Sequence, residues 1–282
     1  MIPKVAAIII KRKRIILFLN LLIKSSSTII TNGKKDGKAD QTVLLTDYKG
    51  IRFAVSKKPY DFRAALGEDH FRKDTENFLN ELGVTAKAVY YMNQTHSDHV
   101  AIIDEDSGED YFGYRIVADT DALITDKKQV VLVTRISDCT PVLLYDPVTG
   151  TMASIHAGWR STVQKLPAKA LTAMRKHYGT NPKDVLAFIG PCIGRKSFQV
   201  GKEVSALWGE AFDFARDVIS PDDDAHDLID MKKTNARMLQ EAGVLAENIE
   251  IDPADTLTDP RYHSYRRDAP DFGSNALFSV LL

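Results

Sequence analysis

Between Ser137 and Arg160 the apolar and polar positions fall into two short runs: SDCTPVLLYDPVTGTMASIHAGWR. Asp146, Pro147, Thr149 and Gly150 separate the runs with turn-forming chemistry, so the pattern predicts a hairpin. Cys139 and His156 lie near its open end. If Asp146 pairs with Thr149, Cys139 faces His156. A loop two residues longer makes Cys139 face Gly158, with His156 as its diagonal neighbour. Both registers keep the thiol and the imidazole on one side of the hairpin.

Elsewhere the pattern predicts a helix over 62–82, with Phe71, Phe78, Leu79 and Leu82 on one face and Gly83 as its cap. A second helix spans 162–178 and stops at Gly179. Pro167 marks its first turns as a separate piece. Further helices are expected over 200–214 and 230–242. Strands are expected over 88–92, 100–104, 122–125, 129–136 and 184–189, and on both sides of Tyr48-Lys49-Gly50. Strands outnumber helices without alternating strictly with them, which indicates a mixed α+β fold. There is no internal repeat, no GxGxxG and no P-loop.

Composition narrows the class. The 282 residues are 44% apolar and 27% charged, ordinary for a globular chain. A net charge of −1 gives no electrostatic case for nucleic acid. Two cysteines cannot build a disulfide framework, so a reducing, cytoplasmic setting is expected. At the N-terminus, Lys11 to Arg14 precede an apolar run from Ile15 to Ile23. The run resembles a weak signal peptide without a small-x-small cleavage site, and it is too short to span a bilayer as a helix. Residues 1–40 are read as a poorly packed leader or a mis-assigned start, and 41–282 as one catalytic domain. No membrane partner is expected.

Seven histidines occur, at 70, 96, 99, 156, 177, 226 and 263. His156 precedes the small residues Ala157 and Gly158, which leave room for a ligand. His96 ends a predicted strand beside Gln94, Ser97 and Asp98. His96, Cys139 and His156 together would form a three-ligand set with an open position, the pattern of catalytic zinc. Spacing alone does not bring His96 to the hairpin, so a metal-free Cys139/His156 hydrolase stays open as well. Asp121, or else Asp119, is the candidate acid, base or orienting group. Arg160 and the Arg266-Arg267 pair are candidate anion contacts. Cys192, in a Gly-Pro turn, reads as inert. A multicopper oxidase needs more histidines in paired motifs than this chain has. A single blue-copper centre is the most the His2Cys set would support.

These motifs resemble the YfiH-type family, long named laccase-domain or polyphenol-oxidase proteins and also described as purine nucleoside phosphorylases. The resemblance runs from Val43 to Leu282. It is carried by QTH at 94–96, TDALIT at 120–125, SDCTPVLLYD at 137–146, IHAGWR at 155–160, GPCIG with FQVG at 190–201, and SYRRD at 264–268. It implies an α/β/β/α layered sandwich with mixed sheets. It also implies metal ligation by His96, Cys139 and His156, with zinc as the metal and copper as an adventitious alternative. The implied activity is phosphorolysis of adenosine, inosine, guanosine and methylthioadenosine, with deamination of adenosine, by a monomer or homodimer. Gln94, Arg160 and Arg266 are then expected to contact substrate or phosphate, and Asp121 to assist the chemistry. Two departures stand out. Asp255-Thr256 replaces a common Cys-Thr, and Gly273-Ser274-Asn275 replaces a common Gly-Arg.

Overall fold

The computed structural model describes residues 49–104 and 106–282. The leader over 1–40, the domain start at 41 and the strand expected before Tyr48 lie outside the described residues. In chain order the strands are β1 (Ile51–Val55), β2 (Ala88–Met92), β3 (Val100–Ile102), β4 (Glu109–Tyr111), β5 (Tyr114–Val117), β6 (Ala122–Thr125), β7 (Val130–Ile136), β8 (Thr140–Asp146), β9 (Thr151–Ala157), β10 (Leu186–Ile189), β11 (Gln199–Gly201), β12 (Ile219–Pro221), β13 (His226–Ile229), β14 (Ile249–Ile251) and β15 (Asn275–Leu281). The helices are α1 (Glu68–Leu82), α2 (Trp159–Val163), α3 (Leu166–Tyr178), α4 (Lys202–Ala211), α5 (Ala215–Val218), α6 (Met231–Glu241) and α7 (Tyr265–Asp268).

Two six-stranded mixed sheets form the framework, ordered β1-β15-β7-β2-β5-β4 and β14-β10-β8-β9-β6-β3. Their inner faces meet through Phe53, Met92, Leu132 and Leu277 on one side and Leu123, Leu143, Met152 and Phe188 on the other. Phe71, Phe78 and Leu82 of α1 cover the outer face of the first sheet, against Tyr91, Val131, Val133 and Phe278. Leu166, Ala170 and Met174 of α3, with Ala236 and Leu239 of α6, cover the outer face of the second. Each large side chain buried this way contributes roughly 1.5–3 kcal/mol. The layers therefore run α/β/β/α, the α+β sandwich expected from the resemblance. A small third sheet, β11-β13-β12, packs with α4 and α5 around Trp208 at one end.

Several boundaries differ from the pattern, each for a local reason. The helix expected from 62 begins at Glu68, because Gly67 at φ +93° ends a short 3-10 turn ahead of it. Gly83 caps it in the left-handed region as expected. The 162–178 segment is two helices. Lys165, at φ +63°, breaks the chain, and Pro167 sits in the first turn of α3. The 200–214 segment opens as strand β11, and α4 stops at Phe212, which is extended. The last strand, β15, pairs between β1 and β7, one strand in from the edge of its sheet.

Candidate metal centre

The hairpin adopts the longer of the two predicted loops. Asp146 pairs with Thr151 and Pro141 with His156, which continues to Cys139 opposite Gly158. His156 is 3% exposed on β9, and Cys139 lies at the mouth of β8. The third residue comes from the other sheet. His96 follows β2, and its Nε2 is 3.6 Å from the Cys139 Sγ. The two imidazoles lie 4.9 Å apart between ring centroids, edge to face. Donor atoms of His96, Cys139 and His156 all fall within 4.8 Å of one another, and among the described residues no other His/Cys/Asp/Glu group is so arranged.

Asp121 organises this cluster from β6's entrance. Its Oδ1 accepts a 2.7 Å hydrogen bond from His156 Nδ1, leaving Nε2 as the free donor atom. The same carboxylate accepts the backbone N–H groups of Thr95, His96 and Ser97 and the Ser97 hydroxyl. It therefore fixes the His96 loop and the His156 ring together. Asp119, the competing candidate, is exposed and is occupied by Thr95 and His99 at the surface. Non-glycine residues at positive φ cluster here: His96 at 60°, Asp119 at 41° and Asp138 at 97°. Backbone conformations of this kind persist only where the surroundings enforce them. Gly158 is required by close packing. A Cβ there would meet the His96 Cδ2 at 2.5 Å and the Cys139 Sγ at 3.3 Å.

The charges follow the geometry. Burial opposes ionisation of Asp121, but the His156 and Ser97 hydrogen bonds prevail and lower it to about 2. Burial likewise opposes the Cys139 thiolate, yet the adjacent His156 and His96 bring it down to about 6. His156 would be driven neutral by burial, but Cys139 and Asp121 raise it to about 9. A thiolate and two imidazoles suit a borderline-soft divalent ion, and the Asp121–His156 pair supplies the outer support common to such sites. Cys192 differs. It is fully buried, and burial pushes its thiol up to about 12.

The three residues line a cavity of about 840 Å³. Its wall carries Arg63, Arg135, Arg160 and Arg266. Arg63 pairs with Asp61 at 2.7 Å. Arg160 stacks its guanidinium 4.1 Å from the Trp159 ring centroid, and Arg266 donates to the Gln199 carbonyl. Gln94, expected to contact substrate, uses both ends of its amide on the backbone of Arg135 (2.8 and 2.9 Å). Sequence reasoning passed over Arg63, Arg135, Tyr265 and Phe272. Arg135 did carry a signal, as the one charged residue in the apolar strand VVLVTRI.

The family described as "multi-copper polyphenol oxidoreductase laccase" matches residues 54–281. The chain belongs to this family. A protein named purine nucleoside phosphorylase from Bacteroides thetaiotaomicron is 39% identical over 132 residues, 46% of this chain and 49% of that one, so the match spans about half of that relative. A purine nucleoside phosphorylase named YlmD from Bacillus subtilis is 28% identical over 76% of this chain and 80% of its own length. An adenosine deaminase named RL5, from an unknown prokaryotic organism, is 34% identical over 78% of this chain and 79% of its own. In fold, the chain resembles the crystal structure of YfiH from Bacillus licheniformis, with a TM-score of 0.80, 21% identity and coverage of 88% and 98%.

Proposed function

We propose that the chain is a zinc-dependent purine nucleoside phosphorylase that cleaves adenosine, inosine, guanosine and methylthioadenosine and also deaminates adenosine. The observation that carries this is the open His96–Cys139–His156 set inside an arginine-walled cavity. Relatives named for both activities support it. A divalent ion held by the three residues would act as a Lewis acid at the open position. The remaining work belongs to the protein's own groups. Asp121 holds the His156 Nδ1–H, so Nε2 faces the cavity and is the atom that would bind the ion, giving up its proton as it does so. Arg160 meets no carboxylate among the described residues and is free to hold phosphate; Arg266 stands at the same wall. Phe198, Val200, Met231 and Phe272 offer the apolar surface a purine base needs. Gln94 lines the cavity and holds the backbone of Arg135 near the end of β7. The catalytic domain is read as 41–282, placed in the cytoplasm. No helix among the described residues is long and apolar enough to cross a membrane.

A second reading has one observation in its favour. Cys139 lowered and His156 raised beside Asp121 is also the arrangement of a metal-free cysteine hydrolase. Copper at the same three donors would support at most weak oxidation of phenols, since the described residues supply one such group. The deciding experiment is release of free base from adenosine with inorganic phosphate, before and after chelation, with zinc added back. Base release that chelation abolishes and zinc restores supports the proposal. No base release from the zinc-loaded protein overturns it.

A further inference from the structure

We propose that the Asp138 carboxylate is the joint that holds the 264–268 turn, with Tyr265 and Arg266, against the loop that presents Cys139. Asp138 thereby acts as a positioning residue for anion binding. Asp138 lies between β7 and β8, one residue before Cys139, and its φ of 97° is one few non-glycine residues adopt. Both of its oxygens face inward contacts. Oδ1 accepts the hydroxyl of Thr256 at 2.6 Å. Oδ2 accepts the hydroxyl of Ser264 at 3.0 Å and the backbone N–H of Arg266 at 2.7 Å. Thr256 and Ser264 are themselves fully buried. The Asp138 carbonyl accepts the Ile193 N–H at 3.0 Å, and Tyr265 N–H reaches the Ser137 carbonyl at 3.4 Å. The segments at 138, 256 and 264–266 therefore meet at one carboxylate, and a fourth, at 193, joins through the Asp138 backbone carbonyl.

The consequence is geometric. The turn that carries Arg266 is four residues long and cannot hold its own place. Its anchors include Asp138, the Ser137 carbonyl, the Arg267 bonds to the carbonyls of Thr256, Leu257 and Tyr262, the Arg266 bond to the Gln199 carbonyl, the Tyr265–Phe272 ring contact and the Lys58–Asp268 pair. Of these, Asp138 and Ser137 belong to the loop that presents Cys139. The place of the Arg266 backbone relative to the Cys139 loop is thus set through Asp138, while the Gln199 carbonyl holds the guanidinium itself. With three donors on two oxygens, this carboxylate is committed to the joint and is not a proton carrier for substrate.

Asp138→Gly is the informative variant, because glycine accepts the positive φ and only the carboxylate is removed. Zinc content should stay near wild type. The KM for inorganic phosphate should rise about tenfold, the scale of one lost charge-assisted hydrogen bond, with kcat changed far less. Trypsin cleavage after Arg266 or Arg267 should accelerate by a similar factor. Asp138→Asn, which keeps one accepting oxygen, should fall between. An unchanged trypsin rate, or faster cleavage with an unchanged KM for phosphate, overturns the proposal. If the glycine variant does not fold, Ser264→Ala and Thr256→Val remove single donors, and each should shift both readouts the same way by a smaller factor. No shift in either one also overturns it. Only the kinetic arm rests on the phosphorolysis reading: if wild-type protein releases no base, that reading fails, while the trypsin arm still decides the joint.

Discussion

Asp121 accepts the His156 Nδ1–H at 2.7 Å while the same carboxylate holds the backbone N–H of His96 at 3.2 Å. One buried side chain thus sets both imidazoles. Replacing it with Asn preserves size but removes one acceptor. Zinc affinity, measured by competition with a chromophoric chelator, is expected to fall about 10- to 100-fold, the usual effect of losing such a partner. An unchanged affinity would show that the ring needs no such support.

Cys139→Ala should lose both zinc and cleavage of adenosine. Metal content by mass spectrometry and base release by chromatography give the two readouts. Retained zinc with lost activity would favour the cysteine-hydrolase reading, as would full activity in His96→Ala. In the chelated wild type, one thiol should react quickly with Ellman's reagent. Cys192, fully buried and raised to about 12, should react only after unfolding.

Gly158→Ala tests the close packing above the site. The added methyl would sit 2.5 Å from the His96 Cδ2, so the ring must move. The expected result is a loss of at least about tenfold in zinc affinity with unchanged far-ultraviolet circular dichroism, since the sheets do not depend on that contact. Zinc bound as in wild type would sink the claim.

Acid stability has an identifiable contributor at the cavity rim. Burial opposes ionisation of Asp61, but the paired Arg63 and the Ser274 N–H prevail and hold its carboxyl below the ordinary 3.8. A folded-state value below the unfolded one adds stability above the unfolded value and loses it as pH falls through the folded one. The Tm gap between wild type and Asp61→Asn should therefore be widest above about pH 5 and narrow as pH drops below about 4. A gap that stays constant to pH 2.5 would contradict this assignment.

How far the chain could be read depended on where the information lay. The hairpin was legible because its period and turn are local, and parity kept Cys139 and His156 on one face whichever loop length held. His96 stood out by its context, but its approach to the hairpin rested on resemblance, since that approach is made by packing one sheet on another. Asp121 and Asp119 were indistinguishable as letters; burial and a hydrogen bond to His156 separate them. The β15 strand went unpredicted, although NALFSVL is apolar, because nothing nearby marks it as the strand between β1 and β7. Gln94 does line the cavity, but only the structure shows that its amide also holds the backbone of Arg135.

The three donors do not come from one layer. His96 leaves β2 of the first sheet, while His156 lies on β9 of the second and Cys139 on the segment that passes from β7 to β8. An ion held among them is a crosslink between the two halves of the sandwich, and its binding energy becomes cohesion of the whole domain. Chelation should then lower the melting temperature as well as abolish turnover, and the melting temperature should climb with free zinc as linkage requires. Sliding of one sheet over the other, from a change in the core far from the cavity, would be felt first as weakened grip on the metal.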